Sequence, residues 1–270
     1  MWIKSRNSIV LVTFILFLSS FLLISCGNST NVEIKKIDSS QQEIDIQFKK
    51  AEDLFEQDKY EEAYKILKQL ADKGDAKSQN SLGNGYEYGF WGDINLEQAK
   101  HWYTKAANQQ YAGGIHNLGM LEFKQGHYKQ ALPYFEKGAN LKSSESMTLL
   151  GAYYSEGIVF EKDYKKALEY FIKALDIDKN NASAQFNIGQ AYYYGEGVQQ
   201  DYQKAFAWYT KATKQDYTLA QIQLAEMYFS GKGANRDVAK AIEIIKPLAE
   251  LGDSKAQENL KWYVEHPNPY

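Results

Sequence analysis

The stretch Asn187-Ile188-Gly189-Gln190-Ala191-Tyr192-Tyr193-Tyr194-Gly195-Glu196-Gly197-Val198, continuing through Asp201-Tyr202-Gln203-Lys204-Ala205-Phe206-Ala207-Trp208-Tyr209, decides the fold. It has the form of one helical hairpin. A Leu or Ile followed by Gly opens it, a Tyr comes four residues after the Leu or Ile, and a Gly-rich turn follows. An Ala then marks the second helix, with an aromatic pair three and four residues beyond it. The chain repeats this form. Leu82-Gly83, Leu118-Gly119, Leu150-Gly151, Ile188-Gly189 and Leu224-Ala225 are spaced by 36, 32, 38 and 36 residues, and Leu260 lies another 36 on. The second-helix Ala falls at Ala99, Ala131, Ala167, Ala205 and Ala241. After it come Trp102-Tyr103, Tyr134-Phe135, Tyr170-Phe171, Trp208-Tyr209 and Ile244-Ile245. Ala63 with Ile66-Leu67 supplies an earlier unit near 44–74. Such a period means stacked units, because no single hairpin can bury its apolar stripe alone.

The interval from the Leu or Ile to the second-helix Ala takes two values. It is 17 in the units of Leu82, Leu150, Ile188 and Leu224, and 13 in the unit of Leu118 and in the first unit, counted from Lys50 to Ala63. The four extra residues fall in the turn. The shorter interval is the tetratricopeptide spacing. The longer turn, followed by Asp163-Tyr164-Lys165-Lys166-Ala167 or Asp201-Tyr202-Gln203-Lys204-Ala205, resembles the Sel-one-like repeat over about 47–260. Departures are Phe90-Trp91 in the turn of the second unit, Glu122 at the Tyr place of the third, Val159 at the second Gly place of the fourth, and Ala225 for Gly in the sixth. The expected fold is an all-α, right-handed α/α solenoid of about six hairpins over 44–266, with a concave inner face. A C-terminal capping helix from Asp253 to His266 is expected to cover the last hairpin with Trp262-Tyr263, and 267–270 to form a tail.

The N-terminus reads as an address. Lys4 and Arg6 precede an uncharged apolar run over 9–24, the pattern of a secretory signal (1–25). That run is short of the roughly 20 residues of a spanning helix. Leu23-Ile24-Ser25-Cys26 resembles the bacterial lipoprotein box, which implies that Cys26 is acylated and becomes the first mature residue. Cys26 is the sole cysteine, so no disulfide within the chain and no cysteine-rich metal site is possible. In a Gram-negative cell, Gly27 after the cysteine resembles outer-membrane sorting, with the protein in the inner leaflet facing the periplasm. Residues 26–43 are polar beyond the lipidated cysteine and read as a flexible tether spanning on the order of 20–25 Å. Setting Lys4 and Arg6 aside leaves 29 basic against 34 acidic residues, a net charge of −5, which argues against nucleic acid. The helices after residue 43 lack a basic face opposite an apolar one, so membrane contact is expected through the lipid alone. The chain is expected to be a monomer.

Chemistry is sparse. His101, His116, His127 and His266 never sit three or four apart, so no metal spacing arises, and no metal or cofactor is expected. The serine-acylation signatures and phosphate-binding loops are absent. Gly195-Glu196-Gly197 and Gly231-Lys232-Gly233 join helix to helix, not strand to helix, and read as turns. No catalytic residue is assigned; the expectation is a non-enzyme.

Binding is the remaining reading. On the first helix of each hairpin, the face opposite the core holds the positions two before, two after and five after the Leu or Ile. By tetratricopeptide analogy that face lines the groove: Asn80, Asn84, Glu87; His116, Met120, Phe123; Thr148, Ala152, Ser155; Phe186, Gln190, Tyr193; Ile222, Glu226, Phe229. The early groove is polar and the late groove apolar, and Phe186, Tyr193, Ile222 and Phe229, with Phe123, form one candidate partner-binding patch. The alternative is that these side chains pack against the next hairpin. Phe90-Trp91 is a second candidate, with folding back of the loop as its alternative. The family resemblance implies a protein or peptide partner. Its sharper forms are an immunity protein neutralising a secreted toxin such as a phospholipase, and an envelope-assembly or regulatory scaffold. The disulfide-rich branch, for which penicillin binding and hydrolysis are implied, carries a cysteine pair per repeat that this chain lacks.

Overall fold

The computed structural model describes residues 33–267. The signal segment 1–25, Cys26, the start of the expected tether and the tail beyond 267 lie outside the described residues. Thirteen helices and no strand occur among the described residues. They pair in order: α1 (Glu33–Glu56) with α2 (Tyr60–Asp72), α3 (Ala76–Tyr88) with α4 (Leu96–Asn108), α5 (Ala112–Lys124) with α6 (Tyr128–Asn140), α7 (Ser144–Glu156) with α8 (Tyr164–Ile177), α9 (Ala182–Tyr194) with α10 (Tyr202–Thr213), and α11 (Thr218–Ser230) with α12 (Val238–Glu250). The last helix, α13 (Ser254–Glu265), has no second helix of its own among the described residues and packs on α12. The two helices of each hairpin pack together, and the second helix packs on the first helix of the next unit, which makes a solenoid.

The Gly-aromatic pairing closes each hairpin. A methyl group on Gly83 would stand 2.3 Å from the Tyr103 ring, on Gly119 2.6 Å from Phe135, on Gly151 2.5 Å from Phe171, and on Gly189 2.6 Å from Tyr209. The aromatic ring of the second helix therefore lies flat against bare backbone of the first. In the sixth unit Ala225 replaces the Gly, and the facing residue is Ile245; both are fully buried in one cluster. A smaller partner makes room for the methyl group.

Turn chemistry follows the two spacings. The hairpin turns run over seven residues at 89–95, 157–163, 195–201 and 231–237, and over three at 57–59 and 125–127. The long turns open on a left-handed Gly at 89, 157, 195 and 231 and end on an Asn or Asp at 95, 163, 201 and 237. That last side chain accepts a hydrogen bond from the backbone N–H three residues on, which caps the second helix. The second Gly, at 197, is forced twice over: its φ is +73°, and a methyl group there would stand 2.6 Å from the Tyr164 carbonyl of the preceding unit. The Lys of the Asp-Tyr-x-Lys-Ala motif lies over the Tyr of the first helix, Lys166 at 4.3 Å from the Tyr154 ring centre and Lys204 at 5.3 Å from Tyr192.

Two expectations are corrected at the ends. Helix α1 begins at Glu33, so residues 33–43, expected to be tether, are helical. The side chains of 40–43 are exposed, and polar pairs along the helix such as Gln41–Asp45 and Gln47–Glu43 support it without burial. At the other end Tyr263 is buried and stacks on Phe229 with ring centres 4.3 Å apart, as a capping residue should. Trp262 does not cover the hairpin; it is 50% exposed and stacks on His266. One residue of rotation on a helix, about 100°, separates the two fates. Among the described residues no helix is long and apolar enough to cross a membrane.

Candidate functional site

The first helices of the hairpins form the inner face. Helix α3 approaches α5, and α11 approaches α13, whereas no two second helices come as close. The stack therefore bends with its first helices inward.

The late groove is not an apolar surface. Phe186, Ile222 and Phe229 are only 7%, 6% and 5% exposed. Phe186 packs on Tyr209 and Tyr217 at 5.6 and 5.4 Å, Phe229 stacks on Tyr263, and Ile222 belongs to the cluster that includes Ile245 and Tyr263. These three residues fill the junctions between hairpins, because the inward side of a solenoid helix also meets the next unit. Phe123 is half-buried against Tyr128, Phe135 and Tyr153. The Phe90-Trp91 turn folds back on the first hairpin. Trp91 Nε1 donates to the Leu82 carbonyl at 3.1 Å, its ring fills the space over Gly85, and Phe90 meets Phe55 at 4.8 Å. Of the expected patch, Phe123 and Tyr193 are half-buried, and Tyr193 has an exposed neighbour, Tyr194.

The early groove is polar and internally bonded. Asn117 Nδ2 donates to Asn80 Oδ1 at 2.9 Å and to Asn84 Oδ1 at 3.0 Å, which ties the third unit to the second. The Tyr103 hydroxyl lies 2.7 Å from both Asn84 Oδ1 and Glu87 Oε2. Lys124 of the third unit closes on the other Glu87 oxygen. Burial works against the Lys124 ammonium, but the hydrogen bond and charge of Glu87 outweigh it and raise its pKa. Burial, with Glu87 beside it, pushes the Tyr103 phenol far up, so it stays a donor. Burial also holds the His116 imidazole down at about 4, assisted by the charge of Lys124, with Nδ1 3.4 Å from Ser146 Oγ. His116 is therefore neutral at physiological pH. Further along, Thr148 is buried and Asn181 Nδ2 donates to Ser144 Oγ at 2.6 Å and Thr148 Oγ1 at 3.1 Å.

Asn117, Tyr103, Lys124 and Lys232 were missed by reading only three positions per helix. Asn117 stands one before its Leu, Lys124 six after, and Lys232 sits in the turn. A wider inward sector of the first helix takes in Asn117 and Lys124, whereas Tyr103 reaches the groove from the second helix and Lys232 from the turn. No group of three or more His, Cys, Asp or Glu that could hold a metal occurs among the described residues.

Comparison with known proteins fits this geometry. The Sel1 repeat profile matches 53–75, 76–111, 144–177, 182–217 and 218–253, and a tetratricopeptide repeat profile matches 112–145, one of the two units with a short turn. A sel1-like repeat-containing protein of Acanthamoeba polyphaga mimivirus is 30% identical over 141 residues, which is 52% of this chain and 26% of that one. The chain spans about a quarter or less of the length of the curated relatives it matches. Among solved structures, a Sel1 repeat protein from Oxalobacter formigenes superposes with a TM-score of 0.64 at 29% identity, over 79% of this chain and 86% of that one. The immunity protein Pa5087 of Pseudomonas aeruginosa shares the fold at a TM-score of 0.53 and 22% identity, over 69% and 71% of the two chains. Sel1 and tetratricopeptide repeats are scaffolds for protein interaction. With 165 of its 270 residues inside matched Sel1 units, the chain belongs to the Sel1 repeat family.

Proposed function

We propose that the chain is a non-enzymatic protein-binding module, lipid-anchored at the cell envelope through Cys26, whose concave face holds a protein or peptide partner. One observation carries the binding reading. The inner face carries polar side chains from different units (Asn84, Asn117 and Lys124) held in place by hydrogen bonds that cross the repeat boundary, in part to the buried Asn80 and Glu87. A surface ordered before its ligand arrives loses little entropy on binding. The lipoprotein box supports a periplasm-facing outer-membrane address in a Gram-negative cell. The fold shared with an immunity protein supports neutralisation of a secreted toxin as the specific role. An envelope-assembly scaffold is the competing role.

The test uses the full-length lipoprotein, cross-linked and recovered from the envelope after exposure to the secreted fraction of kin cells. A stoichiometric secreted partner, together with killing of a deletion strain by those kin, supports immunity. A stoichiometric envelope-assembly protein, without killing, supports the scaffold. Absence of any stoichiometric partner sinks the binding reading. Labelled palmitate incorporated by the parent and lost in Cys26→Ser checks the anchor.

A further inference from the structure

Each long turn lies against the second helix of the unit before it. Phe90, in the turn 89–95, packs on Tyr60 at 5.6 Å. Ile158, Val159 and Phe160, in the turn 157–163, join a cluster that includes Ala131 and Phe135 of the third unit. Gly197 and Gly233, in the turns 195–201 and 231–237, bring bare backbone against the Tyr164 and Tyr202 carbonyls. The first turn of helix α4 has no such cover, because the unit that follows it has the short turn 125–127. The third unit meets α4 one helical turn further on. There Lys100 pairs with Glu122 at 3.1 Å, and His127 of the short turn bonds the same carboxylate at 3.0 Å.

What lies uncovered is apolar. Leu96, the first residue of α4, is 47% exposed, whereas Tyr164 and Tyr202 at the same place are half-buried. Ile94, two residues earlier, is 62% exposed. Its place is exposed in the other long-turn units too, but there it holds Lys162, Gln200 and Arg236. Tyr128, at the start of α6, is 41% exposed as well, but its ring rests on Phe123 at 5.0 Å. A single exposed aliphatic side chain is ordinary on a protein surface. Two of them, at the second-helix start that a shortened turn leaves open, form a seat. That seat is continuous with the polar groove, since Lys124 is the residue that precedes the short turn.

We propose that Ile94 and Leu96 receive a tight turn of the bound protein partner, which takes the place a long turn of the third unit would take and lays a large apolar side chain on them. This rests on the protein-binding reading and names the part of the partner that is recognised. The molecule itself shows what fits. The equivalent places are filled by turns, two of them with Gly at φ +73° and +77° against backbone, and one with Phe90 packed on Phe55 and Tyr60. A second copy of the chain has no long turn to spare among the described residues, because all four are seated on their own preceding units.

Disulfide-closed heptapeptides displayed on phage, selected against the full-length protein, supply the probe, because each is a turn held shut. The enriched sequences are expected to carry Leu, Ile, Met, Phe or Trp at the tip. In calorimetry with a synthetic consensus peptide, Ile94→Ser combined with Leu96→Ser is expected to weaken binding at least tenfold. The Tm of that double variant should stay unchanged, since both side chains are exposed. Replacing Gln125-Gly126-His127 by the seven residues of the turn 195–201 fills the seat from within, and should abolish binding of the same peptide. Should that graft fail to fold, the serine pair still decides. A consensus peptide that binds the serine pair as tightly as the parent would overturn the seat and leave the binding module standing. A dimer in sedimentation that the serine pair dissolves would overturn it too, by making a second copy the occupant. If no closed peptide is enriched, the seat is rejected, and the cross-linking experiment decides the wider reading independently.

Discussion

Gly151 and Phe171 show how little latitude a hairpin leaves to one atom. A methyl group on Gly151 would sit 2.5 Å from the Phe171 ring, nearer than packed carbons approach. Gly151→Ala is expected to destabilise by about 1–3 kcal/mol in urea unfolding, the usual cost of overpacking a filled core. The sixth unit predicts the remedy. Gly151→Ala combined with Phe171→Ile reproduces the Ala225–Ile245 pair, and should recover most of what the first change loses. Additive losses would show that the sixth unit relies on something else. His116 supplies a second test at this scale. Its folded pKa of about 4 lies below the ordinary 6.5, so between those values the unfolded chain binds more protons than the folded one. The contribution of the neutral imidazole is fully present above pH 6.5 and is lost as pH falls from 6.5 towards 4. Relative to His116→Gln, the parent should lose stability on the order of 3 kcal/mol across that window and show no further relative change below it. Parallel denaturation curves at pH 7, 5.5 and 4 check the sign. A parent that gains relative stability on acidification would mean that the imidazole is charged in the fold.

At the scale of elements, the junction between hairpins is as specific as the hairpin itself. Asn181 caps α9 by accepting from the Ala184 N–H at 2.8 Å, and its amide donates to Ser144 and Thr148 of the preceding unit. Asn181→Asp keeps the cap acceptor and loses the cross-unit donor, while Asn181→Ala loses both. The expected order of stability is parent, then Asp, then Ala, with the Ala variant down by about 1–3 kcal/mol from a lost cap and lost amide-to-hydroxyl bonds, while the Ser144 and Thr148 hydroxyls keep their own bonds to the Ala174 and Ser144 carbonyls. Equal stability of the Asp and parent proteins in urea unfolding would remove the cross-unit bond from the account. This element also marks how far the sequence could be read. Helix pairs and the two turn lengths follow from spacing, because each depends on residues near in sequence. What Phe186, Ile222 and Phe229 face does not. Helical periodicity identifies the side turned away from the hairpin partner, but that side is shared between the groove and the next unit. Those three residues are buried there, while the polar Asn80–Asn117 and Glu87–Lys124 links needed knowledge of which neighbouring helix comes within reach.

For the whole molecule, repeat architecture means that cooperativity is built from neighbour to neighbour. No contact in such a stack joins distant units directly, so damage at one end should fade along it. The last helix is the clearest place to apply this. Tyr263 of α13 covers Phe229, bonds Glu226 and shares a core cluster with Ile222, Ala225, Ile245 and Ala249. Ending the chain after Gly252 removes that cover and leaves Phe229 and Ile222 of the sixth unit facing water. Backbone amide exchange over 218–250 is then expected to accelerate at least tenfold, while exchange over 76–140 stays within error of the parent. The shorter protein should also bind a hydrophobic dye, since Phe229 and Ile222 become accessible. A uniform rise in exchange along the chain would mean that the stack unfolds as one unit. No change at all would mean that Tyr263 packs on an already sufficient core.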